Sequence, residues 1–177
     1  MFRAAALAAM LALSVPLAAH AGVDEGVEAF QAGDFEKARA EFAAAADAGD
    51  AIAQFHLGSL YDTGKGVPYD LGEAMRWYRR AALQGDPSAQ FNLAVLYEGE
   101  DAAVPRDLIQ SYVFYTLSAL NQGPPYAVRN RADVEDRMTA EEIEVAGRLV
   151  IEFKPIKENP DAKPDAAKAA GAQTGPG

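Results

Sequence analysis

One stretch of the sequence is repeated, and the repeat limits the fold more than any other feature. Residues 49–84 read GDAIAQFHLGSLYDTGKGVPYDLGEAMRWYRRAALQ, and residues 85–122 read GDPSAQFNLAVLYEGEDAAVPRDLIQSYVFYTLSALNQ. Ala53-Gln54-Phe55 returns as Ala89-Gln90-Phe91, Tyr61 as Tyr97 and, after one inserted loop residue, Trp77-Tyr78 as Phe114-Tyr115. A unit of this length, repeated in tandem, marks an array in which each copy buries its apolar face only against a neighbour.

Within a copy the spacing is helical. Ala53, Leu57, Leu60 and Tyr61 fall on one helix face, and Ala74, Trp77, Tyr78, Ala81 and Ala82 form the stripe of a second. Gly64-Lys65-Gly66-Val67-Pro68 breaks the first helix, Asp70 N-caps the second with Glu73 placed for a capping box, and Gly85 ends it. Asp86-Pro87 restarts a helix with proline at its first position. The fold class is therefore all-α, with about eight helices in antiparallel pairs and no sheet.

The order A-x-x-x-L-G-x-x-Y-x-x-G-x-G-V-x-x-D-x-x-x-A-x-x-W-Y-x-x-A-A-x-x-G resembles the Sel1-like repeat, a relative of the tetratricopeptide repeat. It is carried by Ala53, Leu57, Gly58, Tyr61, Gly64, Gly66, Val67, Asp70, Ala74, Trp77, Tyr78, Ala81, Ala82 and Gly85. The second copy departs from it: Ala94 replaces the glycine, and Glu100-Asp101-Ala102-Ala103 replaces the Gly-x-Gly turn. The resemblance implies an α/α superhelical solenoid that binds other proteins, often in bacterial envelope or signalling assemblies. It reports fold more than chemistry.

The remaining chain divides around these copies. Residues 1–21 read as a secretory signal peptide: Arg3 is the positive start, Ala4 to Leu17 the apolar run, and Ala19-His20-Ala21 the small-x-small cleavage site. The mature protein is expected to begin at Gly22 and to lie in the periplasm, or to be secreted. Residues 22–50 read as a shorter tetratricopeptide-like hairpin with Gly26, Ala29, Ala38, Phe42 and Ala45 at packing positions and Asp34 as a cap. Residues 51–122 are the two Sel1-like repeats. Residues 123–153 are C-terminal capping helices, the last opened by Thr139-Ala140-Glu141-Glu142. Residues 154–177, rich in Pro, Ala, Lys and Gly, are expected to form a disordered tail.

Composition excludes several function classes. The net charge is −10, which opposes nucleic-acid binding, and there is no cysteine, so stability rests on packing and neither a disulfide framework nor a lipid-anchoring cysteine is available. No later stretch is long enough to insert in a membrane. After Ala21 the only histidine is His56, with Ser59, Ser88, Ser111 and Ser118 as the serines. A Ser-His-Asp triad would have to use His56, which Asn92 replaces in the second copy. A lone histidine without cysteine makes no zinc site. Gly64-Lys65-Gly66 lacks the Walker spacing and a preceding strand, and Asp62 and Asp70 lack the calcium-loop pattern. We therefore expect no enzyme, no cofactor and no metal.

The expected function is an exported interaction module, a scaffold or adaptor, that holds another protein or peptide in the concave groove. By tetratricopeptide analogy Leu57, Gly58 and Tyr61 occupy the hairpin interface, while Phe55, Ser59 and Asp62, with Phe91, Val95 and Glu98 as counterparts, face the groove. There they would suit a peptide with an apolar anchor and a basic neighbour. The competing reading packs Phe55 and Phe91 between repeats. Two further functions stay open: an envelope hydrolase on cell-wall or β-lactam substrates, using His56 or a carboxylate pair such as Glu98 and Asp101, and a secreted factor acting on host proteins.

Overall fold

The computed structural model describes residues 17–156, apart from Glu100 and Ala102. Residues 1–16 and 157–177, where most of the expected signal peptide and tail fall, lie outside the described residues. Among the described residues there are eight α-helices and no strand. They are α1 (Leu17–Gln31), α2 (Phe35–Asp47), α3 (Ala51–Thr63), α4 (Leu71–Gln84), α5 (Pro87–Glu98), α6 (Leu108–Leu120), α7 (Ala127–Glu135) and α8 (Ala140–Glu152).

The helix boundaries follow from short-range chemistry. Asp34, Asp50, Asp70, Asp86 and Asp107 each accept a backbone N–H from the first turn of the helix they precede, satisfying a donor that has no partner inside the helix. Thr139 and Glu142 form a reciprocal capping box at α8. The box expected at Asp70 is only half made, because the Glu73 carboxylate pairs with Arg76 instead. Gly64 and Gly85 close α3 and α4 in the left-handed conformation that glycine adopts without a Cβ penalty. The second repeat lacks that turn. Asp101 replaces it, its carboxylate accepting the Ala103 N–H at 2.8 Å.

Hairpins α1–α2, α3–α4 and α5–α6 stack in sequence through α2 on α3 and α4 on α5, while α7 and α8 both pack on α6. The result is an all-α helical-repeat solenoid. Its core forms two apolar clusters, one around Phe42, Ala46, Leu57 and Leu60 and one around Tyr78, Leu93, Phe114 and Tyr115, and Tyr61 packs against both. Buried glutamines join successive hairpins: Gln54 donates to Ala46 O (3.1 Å) and Gln90 to Ala82 O (3.0 Å), each serving a carbonyl at the end of the preceding helix. Gln84 and Asn121 then donate to Gln54 and Gln90, at 2.9 and 3.0 Å.

Two features lie at the ends of the described chain. Helix α1 begins at Leu17 and so contains Ala19-His20-Ala21. Lys154 to Ile156 continue past α8 and lie against α4, where the Ile156 N–H donates to Leu83 O at 2.8 Å. That carbonyl is in the last turn of α4 and has no partner within the helix, which is why an extended strand of chain can be held there.

Candidate functional site: an apolar pocket between the first helices

The six residues expected in the groove split into two groups. Phe55 and Phe91 are half-buried: Phe55 lies 5.9 Å from the Tyr78 ring and Phe91 5.4 Å from Tyr115, each within its own repeat, and Phe91 4.8 Å from Tyr126. Val95 is 42% exposed and Ser59 half-buried. Asp62 and Glu98 are not the free surface carboxylates that the sequence suggested. Asp62 accepts the Tyr78 hydroxyl at 3.1 Å, and Glu98 accepts the Tyr115 hydroxyl at 3.0 Å and pairs with Arg137.

These contacts form a rung that recurs along the solenoid. A fully buried tyrosine on the second helix of a hairpin meets a carboxylate on its first helix and an asparagine on the next hairpin. In one copy the group is Asp62, Tyr78 and Asn92; in the next it is Glu98, Tyr115 and Asn130, whose amide donates to Tyr115 Oη at 3.3 Å. Burial, with the Asp62 charge adding to it, holds the Tyr78 hydroxyl well above its ordinary pKa. Burial, augmented by Glu98, pushes Tyr115 up to about 12 despite the opposing Asn130 hydrogen bond. Each tyrosine is thus fixed as a neutral donor.

The N-terminal hairpin has no such rung. Gly26 sits against the Phe42 ring as Gly58 sits against Tyr78, which sets the register of the two units. In that register Phe30 stands where Asp62 and Glu98 stand, Phe42 where Tyr78 and Tyr115 stand, and His56 where Asn92 stands. The hydroxyl, the carboxylate and the amide are all replaced by rings. Phe42 and His56 stack face to face, 4.7 Å apart at 12°. Burial holds the His56 pKa below 6.5, only partly opposed by Asp50, so the imidazole is neutral at pH 7.

With no polar group to bridge them, α1 and α3 leave an open pocket of about 370 Å³. Val27, Phe30 and Gln31 of α1 form one wall, Phe42 of α2 the floor, and Phe55, His56 and Ser59 of α3 the other wall. The sequence reading contained Phe55 and Ser59 but did not place Val27, Phe30, Gln31 or His56 in the site. A signal was present, since Phe42 lacks the hydroxyl of Tyr78 and Tyr115 at the same repeat position. The pocket suits an apolar group, with Gln31, His56 and Ser59 as its few polar atoms. Among the described residues no group of three or more His, Cys, Asp or Glu side chains could hold a metal ion, and no helix is long and apolar enough to cross a membrane.

The stacked helical hairpins define the class: an all-α helical-repeat solenoid. The particular repeat is shown by comparison. The model of the Sel1 repeat matches residues 51–86 and 87–122, so these two segments are Sel1-like repeats. The chain is similar to c5321, a protective antigen present in uropathogenic Escherichia coli strains that displays an SLR fold (28% identity, TM-score 0.72, covering 90% of this chain and 33% of that one). It is also similar to a Sel1 repeat protein from Oxalobacter formigenes (28% identity, TM-score 0.58, covering 65% of this chain and 88% of that one). A curated relative is the DAP3-binding cell death enhancer 1 of Rattus norvegicus, 40% identical over 91 residues, which cover 50% of this chain and 18% of that protein. The chain thus spans about a fifth of that relative's length.

Proposed function

We propose that this chain is a non-catalytic interaction module, a scaffold or adaptor that binds a partner polypeptide along the face formed by the first helices of its hairpins. The observation that carries this reading is the open apolar pocket between α1 and α3 of a solenoid that contains two Sel1-like repeats. The groups a hydrolase would need are engaged otherwise. His56 is stacked on Phe42, Glu98 is held by Tyr115 and Arg137, and Asp101 by Ala103. The small-x-small site at Ala19-His20-Ala21 after an apolar run supports export to the periplasm, or release, with Gly22 as the first residue of the mature chain.

The exported protein, purified from its native cells under mild cross-linking, tests both parts. Edman sequencing should start at Gly22; an intact Met1 in exported material would overturn the export reading. Ser59→Arg should fill the pocket and remove the partner recovered with the wild-type chain. Leu120→Arg, which alters an exposed residue at the end of α6, should leave that partner bound. Loss in Leu120→Arg with retention in Ser59→Arg would place binding on another surface.

A further inference from the structure

We infer that the α1–α3 pocket is the anchor point of the groove and takes one large apolar side chain, flanked by lysine or arginine, from a partner peptide. This rests on the interaction-module reading and specifies what that module recognises. The first part of the inference comes from the lost rung. In the later repeats a buried tyrosine hydroxyl meets a carboxylate of its own hairpin and an asparagine of the element that follows. Here Phe30, Phe42 and His56 offer ring surface instead, and a neutral imidazole presents its stacked face to Phe42. An aromatic or branched aliphatic side chain can fill such a site without leaving a buried polar group unsatisfied. A charged or polar small molecule would find no charged group on the walls to hold it.

The second part comes from charge. Val27 and Gln31 face the pocket from α1. Asp24 and Glu28 belong to the same helical stripe, spaced i, i+3, i+4 and i+7 with them, and both are exposed. On the same aromatic wall the Lys65 ammonium lies 4.9 Å above the Phe30 ring and 5.6 Å from Phe35. That contact shows that the outer edge of the aromatic wall already accepts a cation by cation–π attraction. The chain as a whole carries a net charge of −10, which adds long-range attraction for a basic segment. An apolar residue between two basic ones matches both the pocket and its rim.

The probes are three capped pentapeptides, Gly-Lys-Phe-Lys-Gly, Gly-Lys-Ala-Lys-Gly and Gly-Glu-Phe-Glu-Gly, titrated into the isotope-labelled protein at low salt. The Lys-Phe-Lys peptide should shift the amides of Val27, Gln31 and Ser59 and the His56 ring, and bind about tenfold more tightly than either control. Asp24→Lys with Glu28→Lys changes only exposed side chains and should invert the preference toward Glu-Phe-Glu. The triple variant Phe30→Asp, Phe42→Tyr, His56→Asn rebuilds the polar rung and should abolish all binding; if it does not fold, Val27→Lys serves the same purpose. Equal binding of Lys-Phe-Lys and Glu-Phe-Glu overturns the charge assignment. Shifts confined to Phe91 and Val95 move the anchor away from α1–α3 while leaving the groove reading intact. No shifts at any concentration, or protein self-association that produces the same shifts without peptide, overturns the proposal; partner loss in Ser59→Arg still reports on the broader reading independently.

Discussion

Tyr78 and Asp62 illustrate how much of this protein is decided by single side chains. The phenol is fully buried and its hydroxyl has a carboxylate within 3.1 Å. Removing the hydroxyl leaves Asp62 facing the gap without its donor, so Tyr78→Phe should cost about 1–2 kcal/mol in urea unfolding. Asp62→Lys should cost at least as much, where a free surface charge would have cost almost nothing. A double-mutant cycle on the pair should give a clear coupling energy; additivity within error would mean the rung is not a joint. His56 gives a pH signature. Its folded pKa is depressed, so the unfolded chain binds the proton more readily, and stability is complete above about pH 6.5 and falls as pH drops toward the lower folded value. His56→Asn, the residue found at that place in the next copy, should flatten the stability profile between about pH 5 and 7. An unchanged slope would show that other groups set it.

The helices and their caps were legible in the sequence because they depend on residues a few positions apart. Asp34, Asp70, Gly85 and Thr139 could be assigned roles before any coordinates. What could not be read depends on contacts between elements. The carbonyl of Leu83 that receives Ile156 is far away in sequence, and the Asx turn of Asp101 has no counterpart in the first copy. The pocket was hidden for a different reason. It follows from groups that are missing, and the N-terminal hairpin is four residues shorter than the second and five shorter than the third, which obscures the match of Phe30 to Asp62 that the equivalence of Gly26 and Gly58 reveals. The loops make a further test at this scale. Gly66 has φ +69° and a Cβ there would meet Phe35 O at 2.7 Å, whereas Gly33 has φ +80° with open space around it. Gly33→Ala should therefore carry only the left-handed backbone penalty of about 1 kcal/mol, and Gly66→Ala should melt several degrees lower still because α2 must shift. Equal melting temperatures would mean the α3–α4 loop does not bear on α2.

At the scale of the whole molecule, stability and recognition are divided along the stack. The second and third hairpins are tied by the buried Gln90 and by the Tyr78 contact to Asn92, and α8 packs on α6 at the far side. The first hairpin joins the stack through Gln54, Arg80 and apolar packing, with aromatic rings at the rung position, so the same exchange of polar for aromatic groups that lines the pocket leaves that interface able to adapt to a guest. The most direct measurement is site-specific photocrosslinking in the native cell, with a benzophenone amino acid placed in turn at Gln31, Val95 and Leu120. A discrete adduct is expected from Gln31, mapped by mass spectrometry to a partner segment with a large apolar residue beside lysine or arginine, and none from Leu120. An adduct from Leu120 alone, or a Gln31 adduct mapped to an acidic segment, would contradict it.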